Sequence, residues 1–243
     1  MTSRIIRLFV EDDLQDAATI ELDQRRSHYV VNVMRSRKGD PLRLFNGRQG
    51  EWLAKMVALD RRQAIFQVEK QIRAQETELG PVLAFALIKR QRLEMLIEKT
   101  VELGVGHLVP LITQNTVADR MNVNRTEAII IEAAEQSERL TLPTIAEVES
   151  LETWLAARST NVTLIVADET ANDPHVADLL EEHPDAMLLI GPEGGFSDID
   201  RQLIASHDSA KTASLGPRVL RAETAAMVMV NLWQELGGGL SQN

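Results

Sequence analysis

The strongest chemical signal in the sequence is a glycine-rich segment that directly follows an apolar run. Residues 188–197 read Leu-Leu-Ile-Gly-Pro-Glu-Gly-Gly-Phe-Ser, so a predicted buried strand leads straight into a loop with three glycines. In α/β sheets ligands bind beyond the carboxyl ends of the strands, and glycine allows a backbone to approach a ligand closely. A plain turn would need one glycine rather than three. The pattern therefore favours a ligand-binding loop over a simple connection.

Two common phosphate-binding patterns are missing from this segment. The dinucleotide pattern G-x-G-x-x-G does not occur at this strand end, and the Gly-Lys-Ser/Thr of a P-loop does not follow. A nucleoside-type ligand is compatible with the loop, but neither of these patterns would hold its phosphates.

A second cluster of chemically active side chains lies where another predicted strand meets a helix. Residues 215–225 read Leu-Gly-Pro-Arg-Val-Leu-Arg-Ala-Glu-Thr-Ala. Arg221 and Glu223 are too close in sequence for a helical side-chain pair, which needs a spacing of three or four. Two interpretations are open: Glu223 stabilises the start of the helix through the helix dipole, or the cluster belongs to a binding site. Asp168 and Glu169, after a further predicted strand, also fit either a ligand edge or helix capping.

The elements that would position these segments alternate between strand and helix. Continuous apolar runs predict strands over 82–88, 107–112, 162–167, 186–190 and 213–215. Helical spacing of apolar residues predicts helices over 92–103, 125–139, 151–158 and 221–236. Ser197 and Asp200 have the spacing of a capping box at the start of one more helix. This alternation predicts an α/β domain with a mainly parallel sheet.

The first seventy residues have a different pattern. Short alternating runs predict strands over 41–45, 51–57 and 64–68, with Asn46 and Gly47 as a tight turn between the first two. A short helix is predicted over 28–35. Together these elements indicate a small β-rich barrel. The polar stretch that ends at Gly80 and Pro81 separates it from the α/β part, so we predict domains over 1–73 and 74–243.

Composition and charge limit the classes of function. The chain has 243 residues, no cysteine and no apolar run long enough to span a membrane, so disulfides and thiolate metal sites are excluded. No metal motif joins the five histidines, and the acidic N-terminus does not resemble a signal peptide, so we expect a cytoplasmic protein without a metal. Residues 1–73 carry 14 Lys and Arg against 10 Asp and Glu, whereas 74–243 carry 12 against 26. This asymmetry suggests a basic binding module joined to an acidic domain.

The two Gly-Pro segments, 190–196 and 215–225, together resemble the SPOUT-class 16S ribosomal RNA uridine-N3 methyltransferases. Further matches follow the same order along the chain, at Lys99 with residues 102–105, at residues 132–137 with Arg139, and at residues 142–143. In the first domain, residues 28–35 and 39–40 resemble the RNA-binding portion of that family. The similarity therefore extends over nearly the whole chain.

The resemblance implies an N-terminal PUA-like β-barrel and a C-terminal α/β domain tied in a trefoil knot. It implies a homodimer that uses S-adenosylmethionine and methylates N3 of one uridine of 16S ribosomal RNA, uridine 1498, in the small ribosomal subunit. The cofactor-binding residues would be Leu189, Ile190, Gly191, Pro192, Glu193, Gly194, Gly195, Leu215, Gly216, Val219, Leu220 and Thr224. The RNA-binding residues would be Arg7, Arg25, Arg26, His28, Arg35 and Arg218.

Uracil N3 becomes a nucleophile only after it loses a proton, so a cation beside the uracil carbonyls would stabilise the developing anion. Arg221 is the first candidate for this role. Glu223 could accept the proton or orient Arg221, and Glu193 is the second candidate carboxylate. Positioning of the methyl carbon in line with N3 would supply most of the remaining catalysis.

Two other functions fit the sequence. The chain could be a non-catalytic factor that binds RNA or the ribosome, although a pure binder would not need both Gly-Pro segments. It could also be an α/β enzyme for a small molecule, although the charge asymmetry argues against this. The C-terminal helix, residues 221–236, is apolar on more than one stripe, including Met227, Val228 and Met229. A surface helix needs only about a 100° apolar face, so the remaining apolar residues must be buried in the core or by a partner. The family resemblance favours a partner and implies that this helix lies in the interface of an obligate dimer.

Overall fold

In the computed structural model, described over residues 5–60, 62–76, 78–118, 120–168 and 173–237, the chain forms two compact units. The first unit contains residues 1–77 together with 134–141, and the second contains 78–133 and 142–243. The segment 134–141 therefore belongs to the first unit by its contacts, whereas the sequence-based division at residue 73 placed it in the second. None of the helices in the described part of the chain is long and apolar enough to cross a membrane.

The first unit is built on a five-stranded sheet in the order β1-β3-β4-β5-β2, in which only β1 and β3 run parallel. Its strands are β1 Arg7–Phe9, β2 Thr19–Glu21, β3 Pro41–Phe45, β4 Glu51–Asp60 and β5 Gln63–Arg73. Helix α1, Gln24–His28, continues into a π-helical turn at Tyr29–Val33. Alternating residues of the strands, among them Leu42, Leu44 and Phe66, form the core of this unit.

Strand β3 ends at Phe45 and β4 begins at Glu51, as the sequence predicts, so a five-residue loop, 46–50, joins them and contains the predicted turn residues Asn46 and Gly47. The Asn46 side chain stabilises it by accepting hydrogen bonds from the backbone N–H groups of Arg48, at 3.1 Å, and Gln49, at 2.9 Å. This Asx-type turn replaces the tighter turn that an Asn-Gly pair usually forms.

Arg7 lies inside the first unit, and this corrects its predicted role in RNA binding. Its side chain is only 3% exposed and forms an ion pair with Glu51 at 2.7 Å. Its remaining nitrogens donate to the carbonyl oxygens of Ala134 and Arg139, and its guanidinium carbon lies 3.6 Å from the centre of the Phe45 ring. Burial lowers the pKa of Arg7 and its bond to Glu51 opposes that change. Arg7 therefore anchors segment 134–141 to the sheet and has no surface left for RNA.

We expect Arg7→Leu to lower the free energy of unfolding by about 3–5 kcal/mol, because it leaves the fully buried Glu51 carboxylate without its close partner. Arg43 and Arg73 lie farther from Glu51, at 3.7 and 3.6 Å. Urea unfolding measures the effect. The control Arg48→Leu removes an exposed pair with Asp13 and should cost less than about 1 kcal/mol. Equal urea concentrations at the unfolding midpoints of Arg7→Leu and Arg48→Leu would contradict a stabilising role for the buried Arg7–Glu51 pair.

The second unit is an α/β domain with a fully parallel sheet, as predicted. Its strand order is β12-β10-β11-β6-β7-β8, with β9 also paired to β7. The strands are β6 Val82–Ala86, β7 His107–Ile112, β8 Thr144–Ile145, β9 Glu149–Ser150, β10 Leu164–Ala167, β11 Met187–Ile190 and β12 Ala210–Ala213. The helices are α2 Arg90–Glu102, α3 Val123–Ser137, α4 Leu151–Ala157, α5 Val176–Glu182, α6 Asp198–Ala205 and α7 Ala222–Leu236. The last four residues of α3 belong to the first unit.

Helices cover this sheet because its strands are apolar on both faces. Ala84, Val166 and Leu189 form one core cluster with the apolar residues of α4 and α6. Neighbouring positions such as Leu83, Phe85 and Leu188 are fully buried as well, and successive side chains of a strand point to opposite faces. Helix α7 packs against α2, α5 and β11. The sheet is therefore fixed from both sides, and its strand ends form a rigid edge.

Candidate functional site

The candidate site is a cavity of about 280 Å³ at the carboxyl ends of β10 and β11 in the second unit. The loop after β11 forms one part of its wall, and the segment between β12 and α7 forms another. Because β10, β11 and β12 are parallel neighbours, their carboxyl ends lie at one edge of the sheet. The lining residues are Arg92, Ala167, Asp168, Ile190, Gly191, Pro192, Glu193, Gly195, Phe196, Leu215, Gly216, Pro217, Arg218, Val219, Leu220, Arg221, Ala222 and Ala225.

The loop after β11 has a tight turn that depends on glycine. The Gly195 N–H donates to the Pro192 carbonyl at 2.9 Å, and Gly195 has a φ of +70°, a conformation that other residues rarely adopt. A Cβ at Gly191 would lie 3.0 Å from the Phe196 ring, so glycine at this position lets the buried ring pack beneath the loop. The loop therefore presents backbone rather than side chains to the cavity at these two positions.

The first turn of α6 fixes the other end of this loop. Ser197 and Asp200 form the predicted capping box, with each side chain accepting from the backbone N–H of the other residue. Asp200 is buried and also accepts from the backbone N–H of Gln114 at 3.3 Å. Asn115 donates to the carbonyl oxygens of Gly194 and Gly195, at 3.3 and 3.1 Å. Residues after β7 thus hold the glycine loop in place, and no motif in the sequence marks them for this role.

Gly194 is exposed and lies next to Asn115 rather than at the cavity wall. A Cβ there would lie 3.4 Å from the Asn115 Cβ, which is a close but tolerable contact, and its φ is not positive. Positive φ, the conformation that requires glycine, is therefore found at Gly195 and not at Gly194.

The second loop carries Arg221 to the beginning of α7. Arg221 is the N-cap residue of this helix, with extended backbone angles and no side-chain capping bond. Its side chain lines the cavity and donates no hydrogen bond to any of the described residues. Upstream, the Ser214 hydroxyl accepts from the Gly216 N–H at 3.2 Å, which fixes the turn at the end of the strand. Arg221 is therefore available to a ligand.

Three charged side chains from three elements meet beside the cavity, and two of them, Arg92 and Glu193, line it. Arg92, in the first turn of α2, lies 3.9 Å from the Glu193 carboxylate and 3.9 Å from that of Glu223. Glu193 also accepts from the backbone N–H of Lys89 at 3.3 Å. From its sequence Arg92 is recognisable only as the start of a helix, although its position just after β6, a neighbour of β11, places it at the same sheet edge.

The two candidate carboxylates differ in their access to the cavity. Glu193 lines it and its side chain is 24% exposed. Glu223 is only 8% exposed, does not line the cavity, and forms its ion pair with Arg92 rather than with Arg221. Its Oε2 atom is buried without a hydrogen-bond partner among the described residues. Glu193 is therefore the carboxylate that a ligand can reach.

Asp168 also lines the cavity, at the end of β10, and it forms a close ion pair with Arg201 of α6. Of the two interpretations of this position, the structure supports a place at the ligand edge. Glu169 lies outside the described residues.

Nine of the twelve predicted cofactor-binding residues line the cavity, and three do not: Leu189, Gly194 and Thr224. Of the three catalytic candidates, Glu223 alone lies outside the lining set. The Leu189 side chain is fully buried in the core cluster beneath the sheet, so only its backbone could serve a ligand. Thr224 is exposed on α7 outside the lining set. The predicted RNA-binding residues Arg25, His28 and Arg35 are exposed on the first unit, and Arg26 is half-buried near Asp23. Arg218 is exposed and also lines the cavity.

Comparisons with known proteins agree with this architecture. Residues 75–234 match the model of an RNA methyltransferase domain, and residues 22–69 match that of an RNA methyltransferase PUA domain. A ribosomal RNA small subunit methyltransferase E of Rickettsia conorii is 32% identical over 95% of this chain and 96% of its own length.

Two solved structures are similar over nearly the whole chain. A Legionella pneumophila protein in complex with bound cofactor SAM has a TM-score of 0.87 and 32% identity, and covers 97% of this chain and 99% of its own. A ribosomal RNA small subunit methyltransferase E of Neisseria gonorrhoeae, bound to S-adenosyl methionine, has a TM-score of 0.85 and 25% identity, covering 98% and 100%. By its domain match and its close relatives, this chain belongs to the RNA methyltransferase family, alongside the ribosomal RNA small subunit methyltransferases E.

Proposed function

We propose that this protein transfers a methyl group from S-adenosylmethionine to N3 of a uridine in 16S ribosomal RNA, at the position of uridine 1498. The coarser part, methylation of small-subunit ribosomal RNA, follows from the family. The observation that carries the finer part is the cavity wall, where Arg92, Glu193 and Arg221 place two cations and an accessible carboxylate together. This is the set of groups that removal of a proton from a weakly acidic N–H requires.

The cavity suits S-adenosylmethionine. Its walls combine apolar side chains of Ile190, Leu215 and Leu220 with backbone at Gly191 and Gly195. A volume of about 280 Å³ is near the lower end of ordinary small-molecule sites. When bound, S-adenosylmethionine supplies an electrophilic methyl group on a sulfonium sulfur. The two loops would hold it, and their rigid attachment to the sheet would orient it.

Within this proposal, Arg221 stabilises the negative charge that forms on the uracil, as the sequence predicts. Glu193 accepts the N3 proton, because it lines the cavity and Glu223 does not, while Asp168, the other lining carboxylate, is engaged in its close ion pair with Arg201. Glu223, the other candidate, is buried behind the cavity wall beside Arg92. It therefore serves as a partner of Arg92 rather than as a base or as an orienting group for Arg221.

RNA would reach the protein through its basic, exposed side chains. Arg25, His28 and Arg35 lie on the surface of the unit that matches an RNA methyltransferase PUA domain. Arg218 would contact RNA near the cavity, which it lines. Such contacts neutralise phosphates, so affinity for RNA should fall steeply with salt. Because the proposed substrate is ribosomal RNA, we also propose that the protein is cytoplasmic.

Mapping of modified nucleotides tests the proposed reaction against the two other functions. The 16S ribosomal RNA from a strain without this gene should lack N3-methyluridine at position 1498, and a plasmid copy should restore it. A non-catalytic RNA-binding factor would leave the modification unchanged and would bind no S-adenosylmethionine in calorimetry. An enzyme for a small molecule would bind S-adenosylmethionine without salt-dependent binding of RNA.

The homodimer and the trefoil knot stay predictions from the family resemblance. Some of the apolar side chains of α7 are covered within the chain, because Met229, Val230 and Trp233 are buried. Met227, Val228 and Leu232 are only half-buried, and a second subunit would cover them. Sedimentation at assay concentration should give twice the mass of the 27.1 kDa chain. A fully active monomer would contradict the dimer.

A further inference from the structure

Arg92 is held at the cavity wall in an unusual way. Its guanidinium lies between Glu193, from the loop after β11, and Glu223, from the first turn of α7. Both distances are 3.9 Å, which is too long for a hydrogen bond. The two carboxylates therefore attract the guanidinium by charge, and no hydrogen bond to the described residues uses its N–H groups.

The burial of the three side chains indicates their separate roles. The Arg92 side chain is 33% exposed and lines the cavity, whereas Glu223 is 8% exposed and lies outside the lining set. A buried carboxylate needs a nearby cation, and Arg92 is the only ion-pair partner of Glu223 among the described residues. Glu223 thus fixes one side of the guanidinium, and the five N–H donors of Arg92 stay available for a ligand.

The proposed reaction requires more donors than Arg221 alone provides. When uracil loses its N3 proton, the negative charge spreads over N3 and the two flanking carbonyl oxygens, O2 and O4. These oxygens lie on opposite sides of N3, so one side chain is poorly placed to stabilise both. Fixed donors at positions where charge develops give the largest catalytic effects.

Building on the proposed function, we infer that Arg92 is a second catalytic arginine that donates to one uracil carbonyl while Arg221 donates to the other. N3 loses its proton to the Glu193 carboxylate and forms a bond to the methyl carbon, whose bond to sulfur breaks with its electron pair passing to sulfur. Glu223 acts through Arg92 as a positioning residue. The products are N3-methyluridine, S-adenosylhomocysteine and a protonated Glu193.

Two donors facing the base would also select uracil over cytosine. Cytosine carries an amino group, itself a donor, where uracil carries O4. A site built to donate a hydrogen bond loses much of its transition-state stabilisation when the substrate offers no acceptor. Arg92 and Arg221 together would therefore determine base specificity as well as rate.

The test compares Arg92→Ala with the wild type on small subunits reconstituted from RNA that contains either uridine or 5-fluorouridine. Fluorine at C5 makes the N3–H more acidic, so the substrate itself supplies part of the missing stabilisation. With uridine we expect kcat to fall about 100-fold, with an unchanged Kd for S-adenosylmethionine. With 5-fluorouridine the loss should shrink to about 10-fold or less, since each tenfold step equals about 1.4 kcal/mol of transition-state stabilisation.

Variants of neighbouring residues make the result specific. Arg92→Lys keeps the charge and should recover part of the activity, and Glu223→Gln should lower kcat less than Arg92→Ala does. Arg90→Ala is the matched control, because Arg90 is also in the first turn of α2 but is 82% exposed and does not line this cavity. It should keep normal kcat on both substrates.

The possible outcomes separate the inference from the proposed function. An Arg92→Ala variant with normal kcat, or with the same fractional loss on both substrates, would overturn the role of Arg92 while the reaction itself stands. If the wild type forms N3-methyluridine on neither substrate, the proposed reaction is wrong and the inference is wrong with it. If Arg92→Ala does not bind S-adenosylmethionine, the loss of kcat in Arg92→Lys is compared between uridine and 5-fluorouridine instead. A smaller loss with 5-fluorouridine supports the role of Arg92, and an equal loss overturns it.

Discussion

Replacement of Gly195 by valine should abolish measurable binding of S-adenosylmethionine while the protein stays folded. Gly195 has a φ of +70° in the turn closed by the Pro192 carbonyl, and it lines the cavity. A β-branched residue at positive φ is strained, so the loop would have to change its path at the position where it faces the ligand. We expect the Kd measured by calorimetry to rise at least about 100-fold, which corresponds to about 2.8 kcal/mol.

Two further glycine variants separate strain from loss of the site. Gly39→Val introduces valine at a φ of +98° in the first unit, where a new Cβ would meet no atom within 4 Å. It should cost stability without changing the Kd. Gly194→Ala alters the adjacent residue, whose φ is not positive, and should change the Kd only slightly. An unchanged Kd in folded Gly195→Val would remove this loop from the cofactor site.

The sequence identified the parallel sheet because its strands are buried on both faces. Continuous apolar runs such as Leu188–Ile190 are visible without any knowledge of neighbours. Four of the five strands predicted in this part lie where expected, whereas the fifth, predicted over 213–215, is β12 at Ala210–Ala213 and shares only Ala213 with the prediction. Strand β2, at Thr19–Glu21, has only one buried residue, and helix α5 is seven residues long. Such short elements depend on their tertiary contacts, so their own sequence gives little signal.

The two loops of the site were also visible from the sequence, because glycine and proline mark changes of backbone direction. Arg92 and Asn115 give no such signal, because they lie 101 and 79 residues along the chain from the loop residues that they contact, Glu193 and Gly194. Their position could have been found from the rule that parallel neighbours share an edge. Both follow strands, β6 and β7, that belong to the same sheet as β11.

Arg7 shows the opposite limitation. An arginine in a basic N-terminal domain suggests RNA binding, and nothing local predicts its burial. Its ion pair with Glu51 spans 44 residues and its bond to the Arg139 carbonyl spans 132. A buried ion pair of this kind depends on how distant segments of the unit pack together. A count of charges along the chain contains no such information, so it predicts that Arg7 is on the surface.

Arg221→Ala should lower kcat for methyl transfer about 100- to 1,000-fold at saturating RNA, with little change in stability or in the Kd for S-adenosylmethionine. The side chain is exposed, makes no capping bond at the start of α7 and donates no hydrogen bond to the described residues. Its removal therefore breaks no contact that supports the fold, and substitutions of this kind usually change stability by no more than about 0.5 kcal/mol. The loss should fall on kcat, because the charge that Arg221 stabilises develops only as the N3 proton leaves.

The comparison of Arg221→Ala with Arg221→Lys decides whether charge or geometry matters. Lysine keeps a positive charge but lacks the planar fork of donors, so we expect it to recover only part of the rate. Arg90→Ala again serves as the control for removal of an exposed arginine from a helix start in the same unit, and should keep normal kcat. A near-normal rate in Arg221→Ala would show that the anion is stabilised elsewhere. A rise in KM for RNA with unchanged kcat would instead make Arg221 a binding residue, because uniform binding affects KM alone.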